Sequence, residues 1–292
     1  MSKFTLLLGK ILPKAFEEKL RFLRDSNRKY KIEKLPNEIF SCNRLRKVSF
    51  CITCMNRLFQ LKQTLRKNIL SNKNYPHIEF VLVDYNSNDG LDKYIKKFYQ
   101  DELSSGILKY YRTDEPIFYH SSISKNLAHR IAEGYILCNL DADNFTGDHF
   151  AYYLNYLFEE KGDNNIYRFR KAPFWGTEGR ICLSRSLFFA LGGYDEELYP
   201  VGHQDLDLIN RAAALGYETI NIPIENFLGF VSNSQKEKVK NINSDGKDWL
   251  YYNKKNIEIS ESNILAGRLI ANPKGFKNYK LYKNFSSTIV DF

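Results

Sequence analysis

Two carboxylates one residue apart, Asp141 and Asp143, end the run ILCNLDADN over residues 136–144. Carboxylates that share a site raise one another's pKa, so an apolar stretch leading straight into such a pair needs a counter-charge. A hard divalent cation supplies one, and a cation so held can hold a diphosphate in turn. The two positions can face the same side if the backbone turns between them. A lone DxD is weak evidence, because a solvated turn that caps a helix has the same spelling; the apolar strand in front of it strengthens the functional reading. No GxGxxG follows the first strand-like run, and no GxxxxGK[ST] occurs anywhere, so backbone amides of a glycine-rich loop are not available to cradle phosphate.

A second acidic cluster, Asp205 and Asp207, follows His203 and Gln204 at the start of an apolar-periodic segment containing Leu208, Ile209 and Ala212. Attraction to a helix N-terminus accounts for Asp207 and extends to Asp205.

The elements that must position these groups alternate. Val48–Thr53, Ile78–Asp84, Leu108–Arg112 and Tyr135–Leu140 read as strands. Residues 57–70, 91–103 and 121–133 between them have helical spacing. This predicts an α/β fold with a mostly parallel sheet and helices on both faces. In such sheets ligands bind beyond the carboxyl ends of the strands. Thr53, Asn56 and Arg57, then Asp84, Asn86, Ser87 and Asp89, then Asp141, Asp143 and Asn144 are therefore expected on one rim.

The net charge of +9 is unevenly spread. Residues 1–47 carry +8, residues 48–234 carry −4, and residues 235–292 carry +5. An acidic centre argues against a nucleic-acid binder, which grips phosphate with its folded core. Basic ends suit an anionic membrane surface or an acidic substrate, and equally suit plain solubility. Residues 4–24 add a basic amphipathic segment, interrupted at Pro13, that fits either a membrane surface or the side of the domain. The expected organisation is a basic N-terminal segment over 1–47, a catalytic domain over 48–234, and a basic aromatic extension over 235–292 on the acceptor side, as a lid or facing a membrane. The five cysteines are irregularly spaced, and the Cys51–Cys54 pair lacks a second pair for zinc, which points to reduced thiols. No apolar run reaches the ~18 residues of a spanning helix. A cytoplasmic protein is expected, peripheral on the inner face of the membrane if the basic ends engage it.

Taken together and in order, the pieces VSFCITCMNR, IEFVLVDYNSNDG, SKNLAHRIAEGYILCNLDADN, GTEGRICLSRS, LGGYDEE and GHQDLDLINRAAALGY resemble a GT-A (Rossmann-like) glycosyltransferase. The resemblance runs from about Val48 to about Pro223 and is close to the large family 2 group. The later half is similar to the C-terminal part of galactosyltransferases and polypeptide N-acetylgalactosaminyltransferases. It implies that Thr53 and Arg57 border the nucleotide, that Asp84 binds the base, typically uracil, and that Lys125 and Asn126 lie near the nucleotide. By the same resemblance Asp141 and Asp143 form the metal-binding DxD, Gly179 lets the donor sugar approach the backbone, and Asp205 is the catalytic base of an inverting reaction. Gln204 departs from the family's usual Glu. No His follows His203, so the further His ligand of related enzymes is absent from the stretch Asn226–Asn233.

The implied cofactor is Mn2+ or Mg2+ and the implied donor a UDP-sugar. The implied acceptor is a hydroxyl of a glycan or glycolipid, of the surface-polysaccharide or lipooligosaccharide type. His203 as a metal ligand and Trp175 stacked on a sugar ring are weaker expectations with structural alternatives. A glycoside hydrolase, or a catalytically silent sugar-nucleotide or membrane-associated binding protein, are the competing readings.

Overall fold

The computed structural model describes residues 32–171, 175–286 and 289–290. The amphipathic segment expected over residues 4–24 lies outside them. Among the described residues a nine-stranded sheet runs in the order β7-β5-β6-β4-β1-β2-β3-β8-β9. Its centre is β1 (Val48–Cys54), β2 (Ile78–Tyr85), β3 (Leu108–Thr113) and β4 (Ile136–Asn139), all parallel. β6 (Ile181–Ser184) and β8 (Leu281–Lys283) run against their neighbours. β5 (Asn165–Phe169), β7 (Glu218–Ile222) and β9 (Ile289–Val290) restore the common direction.

The alternation of side chains on β1 and β2 builds two apolar layers. Phe50, Ile52, Phe80 and Leu82 face one side, and meet Leu61 and Leu65 of α1 (Leu58–Asn72) with Phe150 and Leu154. Cys51, Val81 and Val83 face the other, and meet Leu127 of the helix 121–131, Leu187 and Leu208. A strand buried on both faces has to be apolar throughout, which is why these runs show no polar alternation.

The expected helix over 91–103 is two helices, α2 (Leu91–Phe98) and α3 (Gln100–Ser104). The chain leaves helical geometry at Tyr99, whose φ is −130° and whose buried ring carries the Arg66 guanidinium 4.4 Å above it. Further helices are α4 (Ser121–Ile131), α5 (Phe150–Lys161), α6 (Arg185–Ala190), α7 (Gln204–Ala214), α8 (Gln235–Val239) and α9 (Trp249–Leu265). No helix of the described residues is long and apolar enough to cross a membrane.

The register aligns the carboxyl ends: Cys54 of β1 lies beside Asp84 of β2, and Thr113 of β3 beside Tyr85. Beyond these ends the backbone turns sharply. Asn56 after β1, Asn86 after β2 and, ahead of α7, His203 have φ of 55°, 56° and 70°, a left-handed conformation that Asn and His tolerate better than branched residues.

Candidate active site

Two adjoining cavities open on this rim. The smaller, about 140 Å³, is lined by Thr53, Met55, Arg57, Tyr119 and Asn241. The larger, about 640 Å³, is lined by Lys125, Arg168, Gly179, His203 and Asp205. Asp141, Asp143, Arg57, Tyr119 and Lys238 line both, so the two carboxylates stand at the junction.

The DxD stretch is a tight turn, with the Asn144 amide donating to the Asp141 carbonyl at 2.9 Å. A polar stripe on α1 holds it from beneath. Gln60, Thr64, Asn68 and Asn72 recur every fourth residue and are all buried. Thr64 Oγ1 donates to the Ala142 carbonyl at 2.7 Å, and Asn68 Nδ2 to the Asn144 carbonyl at 2.9 Å. The other side of the turn pairs with residues 229–231, where the Val231 amide donates to the Asp143 carbonyl at 2.7 Å. The buried polar stripe was not read from the sequence. Its signal was there: polar residues at i, i+4, i+8 and i+12 of a helix whose remaining periodicity is apolar.

Asp143 accepts from Asn144 Nδ2 at 2.7 Å and from the amide of Asn233, which Gln60 orients at 2.8 Å. Burial, then the neighbouring Asp141 charge, push the Asp143 carboxyl up to about 6. Lys125 Nζ lies 2.6 Å from Asp205 Oδ1 and 3.9 Å from Asp141 Oδ1. Burial opposes the Lys125 charge, but the two carboxylates outweigh it and hold the ammonium pKa well above its usual value. Burial raises the Asp205 pKa, and Lys125 offsets part of that rise. A Cβ placed on Gly179 would come within 2.9 Å of both Asp141 Oδ2 and Asp205 Oδ2, so a glycine is needed for the two acids to converge.

The hard oxygens of Asp141 and Asp143 suit a divalent cation of the Mn2+ or Mg2+ type. A carboxyl whose pKa is raised by an adjacent like charge is the donor such a cation would relieve. No cluster of three or more His, Cys, Asp or Glu among the described residues could hold a metal, so diphosphate and water oxygens would complete the shell. His203 lines the larger cavity, but both its ring nitrogens are buried without a hydrogen-bond partner among the described residues.

Several expected site residues gather here: Thr53, Arg57, Lys125, Asp141, Asp143, Gly179 and Asp205. Thr53 Oγ1 lies 3.1 Å from the Tyr119 hydroxyl, and Arg57 donates to the Glu237 carbonyl at 2.6 Å while its Nη1 is buried without a partner among the described residues. Two expected residues do not line the cleft. Asp84 is fully buried, accepting from Tyr110 at 2.6 Å, Arg112 at 2.7 Å and the Ser87 amide at 2.8 Å. Three hydrogen bonds hold it in place below the cleft, as an anchor for the rim. Ser87 accepts from the Asn56 amide, and Asn56 donates to Asn241 on the cavity wall. Asn126 is likewise fully buried; its side chain clamps the Gly192-Gly193 turn through the Tyr194 amide and carbonyl, both at 2.8 Å. Asp89 caps α1 by accepting from the Leu58 amide at 2.8 Å. Gln204 turns its amide to the Tyr199 carbonyl at 2.7 Å, so the residue before Asp205 is neutral. The Trp175 side chain lies outside the described residues. Tyr119, Lys238, Asn241, Arg168 and Arg180 were missed; each reads in sequence as an ordinary aromatic, basic or polar position.

No curated protein sequence matches the chain. Among solved structures, mannosyltransferase PcManGT from Pyrobaculum calidifontis in complex with GDP-Man and Mn2+ overlays with a TM-score of 0.50 at 20% identity, covering 72% of this chain and 62% of that one. GalNAc-T7 with UDP, GalNAc and Mn2+ overlays with a TM-score of 0.54 at 15% identity, covering 73% of this chain and 51% of that one. The chain thus spans less than two thirds of either structure. At these identities the likeness establishes the fold, and it bears out the expected GT-A architecture. The family model described as Glycosyl transferase family 2 matches residues 49–214, which include the DxD turn and Asp205. The chain belongs to glycosyl transferase family 2.

Proposed function

We propose that the chain transfers a hexose or N-acetylhexosamine from a UDP-sugar to a hydroxyl of a glycan or glycolipid acceptor, with inversion at the anomeric carbon. The observation that carries this is the placing of Asp141, Asp143, Lys125 and Asp205 around one cleft. The nucleotide would occupy the smaller cavity, between Thr53, Tyr119 and Asn241, with Arg57 turned to the diphosphate. Asp141 and Asp143 would hold Mn2+ or Mg2+, which when bound stabilises negative charge on the leaving diphosphate. Asp205 takes the proton of the acceptor hydroxyl. The acceptor oxygen then bonds to the anomeric carbon as the bond from that carbon to the diphosphate oxygen breaks, and UDP departs. A positioned base of this kind contributes about 10²–10⁴-fold. Residues 48–234 would form the catalytic unit, with residues 235–292 on the acceptor side; α8 and the start of α9 support this, since Lys238, Trp249 and Asn253 line the larger cavity.

The test is a screen of UDP-, GDP- and dTDP-sugars with Mn2+ for release of the nucleoside diphosphate. UDP release from one UDP-sugar, dependent on Mn2+ or Mg2+, is expected. Binding of UDP without turnover of any donor would favour the catalytically silent alternative.

A further inference from the structure

The larger cavity contains a cation that the proposed reaction does not use. Arg168 lies on β5, is 6% exposed, and lines the larger cavity but not the smaller. Its Nε donates to the Glu178 carbonyl at 3.3 Å. Its two Nη groups have no hydrogen-bond partner among the described residues, and it makes no ion pair with them. The nearby carboxylates act on it only as neighbouring charges, since Asp205 pairs with Lys125 at 2.6 Å and Glu178 with Arg170 at 3.8 Å. A guanidinium stays charged at any working pH, and burying a charge without a partner is costly. The fork of two free Nη groups matches a planar carboxylate or a phosphate, taken through two parallel hydrogen bonds.

Position decides which substrate brings that anion. The diphosphate end of the donor belongs at the junction, beside Asp143 and Arg57. Arg168 lines the larger cavity together with Asp205 and Leu206, and none of the three lines the smaller one. The geometry points to Arg168 as an acceptor-recognition residue that binds a carboxylate or phosphate carried by the acceptor sugar, next to the hydroxyl that Asp205 deprotonates. This rests on the proposed function and names the acceptor class within it: an acidic saccharide, either a uronic acid or a phosphorylated sugar. Arg168 thereby sets specificity, and an uncharged saccharide leaves a buried charge unpaired, which is a strong basis for rejection.

The experiment measures binding of glucose, glucuronate and glucose 6-phosphate to the protein saturated with UDP and Mn2+, by ligand-observed NMR titration. Saturating UDP removes the diphosphate site as a competing anion site. Glucuronate or glucose 6-phosphate is expected to bind about tenfold or more tightly than glucose, and the better of the two tells carboxylate from phosphate. Arg168→Gln is expected to erase the difference, and Arg168→Lys, which keeps the charge but loses the fork, to retain part of it. Equal affinities, or no binding of any of the three, overturn the inference; so does a preference that survives in Arg168→Gln. A preference seen only between a UDP-hexuronate and the UDP-hexose assigns Arg168 to the donor and overturns its acceptor role. Failure of the native protein to bind UDP defeats the proposed function as a whole, whereas UDP binding without anion preference defeats only the role of Arg168.

Discussion

Lys125 Nζ sits 2.6 Å from the Asp205 carboxylate and 3.9 Å from that of Asp141, at the floor of the cleft. One buried ammonium therefore joins the residue proposed as base to the residue pair proposed to hold the metal. Without it, burial and the Asp141 charge across Gly179 would both favour the protonated acid at Asp205, opposed only in part by Arg168.

Substitutions at this pair should separate binding from transfer. Asp205→Asn should lower the rate of transfer by about 10²–10⁴-fold with little change in UDP affinity. Lys125→Met should raise the Asp205 pKa, so that the acidic limb of the kcat/KM profile moves to higher pH. A pH–rate profile of the variant that overlays the native one would remove Lys125 from this role.

Asp143 sets the pH range of metal binding. Its carboxyl pKa, pushed up to about 6, lies below neutrality, so above about pH 7 the group is ionised and ready for a cation. Below about 6 a proton competes for the same oxygens, and affinity should fall about tenfold per pH unit. Mn2+ titrations followed by electron paramagnetic resonance at pH 7.5 and pH 5 would measure this, and the pH dependence should vanish in Asp143→Asn along with most of the affinity.

Arg180 is a fully buried cation behind the DxD turn. Its Nη2 donates to Asn144 Oδ1 at 3.0 Å, and Asn144 Nδ2 donates to Asp143 at 2.7 Å and to the Gly176 carbonyl at 3.0 Å. Its Nε and Nη1 are buried with no partner among the described residues. Arg180→Met removes a buried charge two of whose donors have no partner among the described residues, so Tm should hold or rise. The Asn144 amide loses its anchor, so Mn2+ affinity should fall about tenfold or more, as when an outer partner of a metal ligand is lost. A lowered Tm with unchanged Mn2+ affinity would contradict this.

Acid should destabilise the fold through two histidines, His129, which is buried, and His120, which is half-buried. Burial pushes His129, whose Nδ1 lies 2.7 Å from the Lys125 carbonyl, down to about 4, and pushes His120 down to about 4 as well. Folded pKa values below the unfolded one mean that the unfolded chain takes up protons first. Stability is therefore complete above about pH 6.5 and falls as pH drops towards 4, by about 1.4 kcal/mol per pH unit for each histidine. Urea titrations at pH 7.5, 5.5 and 4.5 should show this loss, and His129→Phe should flatten it by about one proton.

The parts of this arrangement that were legible in the sequence are those with a period or a motif. β1 to β4 are apolar because both faces are covered, and the Asp141–Asp143 pair stands out because charge follows such a strand abruptly. Asp84 was read as a ligand for the same reason, a carboxylate at a strand end, and only the fold shows it buried among Tyr110, Arg112 and Ser87. Arg168 and Arg180 were invisible because an arginine in a strand or turn is ordinary until its burial is known. β8 was hidden by distance along the chain: Leu281–Lys283 joins the edge of β3, more than 160 residues earlier, by pairing Tyr282 with Arg112.

The central claim is that Asp141 and Asp143 tether a nucleoside diphosphate through a divalent cation. Calorimetric titration of UDP into the native protein and into Asp143→Asn, each with and without Mn2+, tests it most directly. UDP affinity should rise at least about tenfold with Mn2+ in the native protein and not respond to Mn2+ in the variant. Equal UDP affinity with and without Mn2+ in the native protein, or the same Mn2+ response in both proteins, would contradict it.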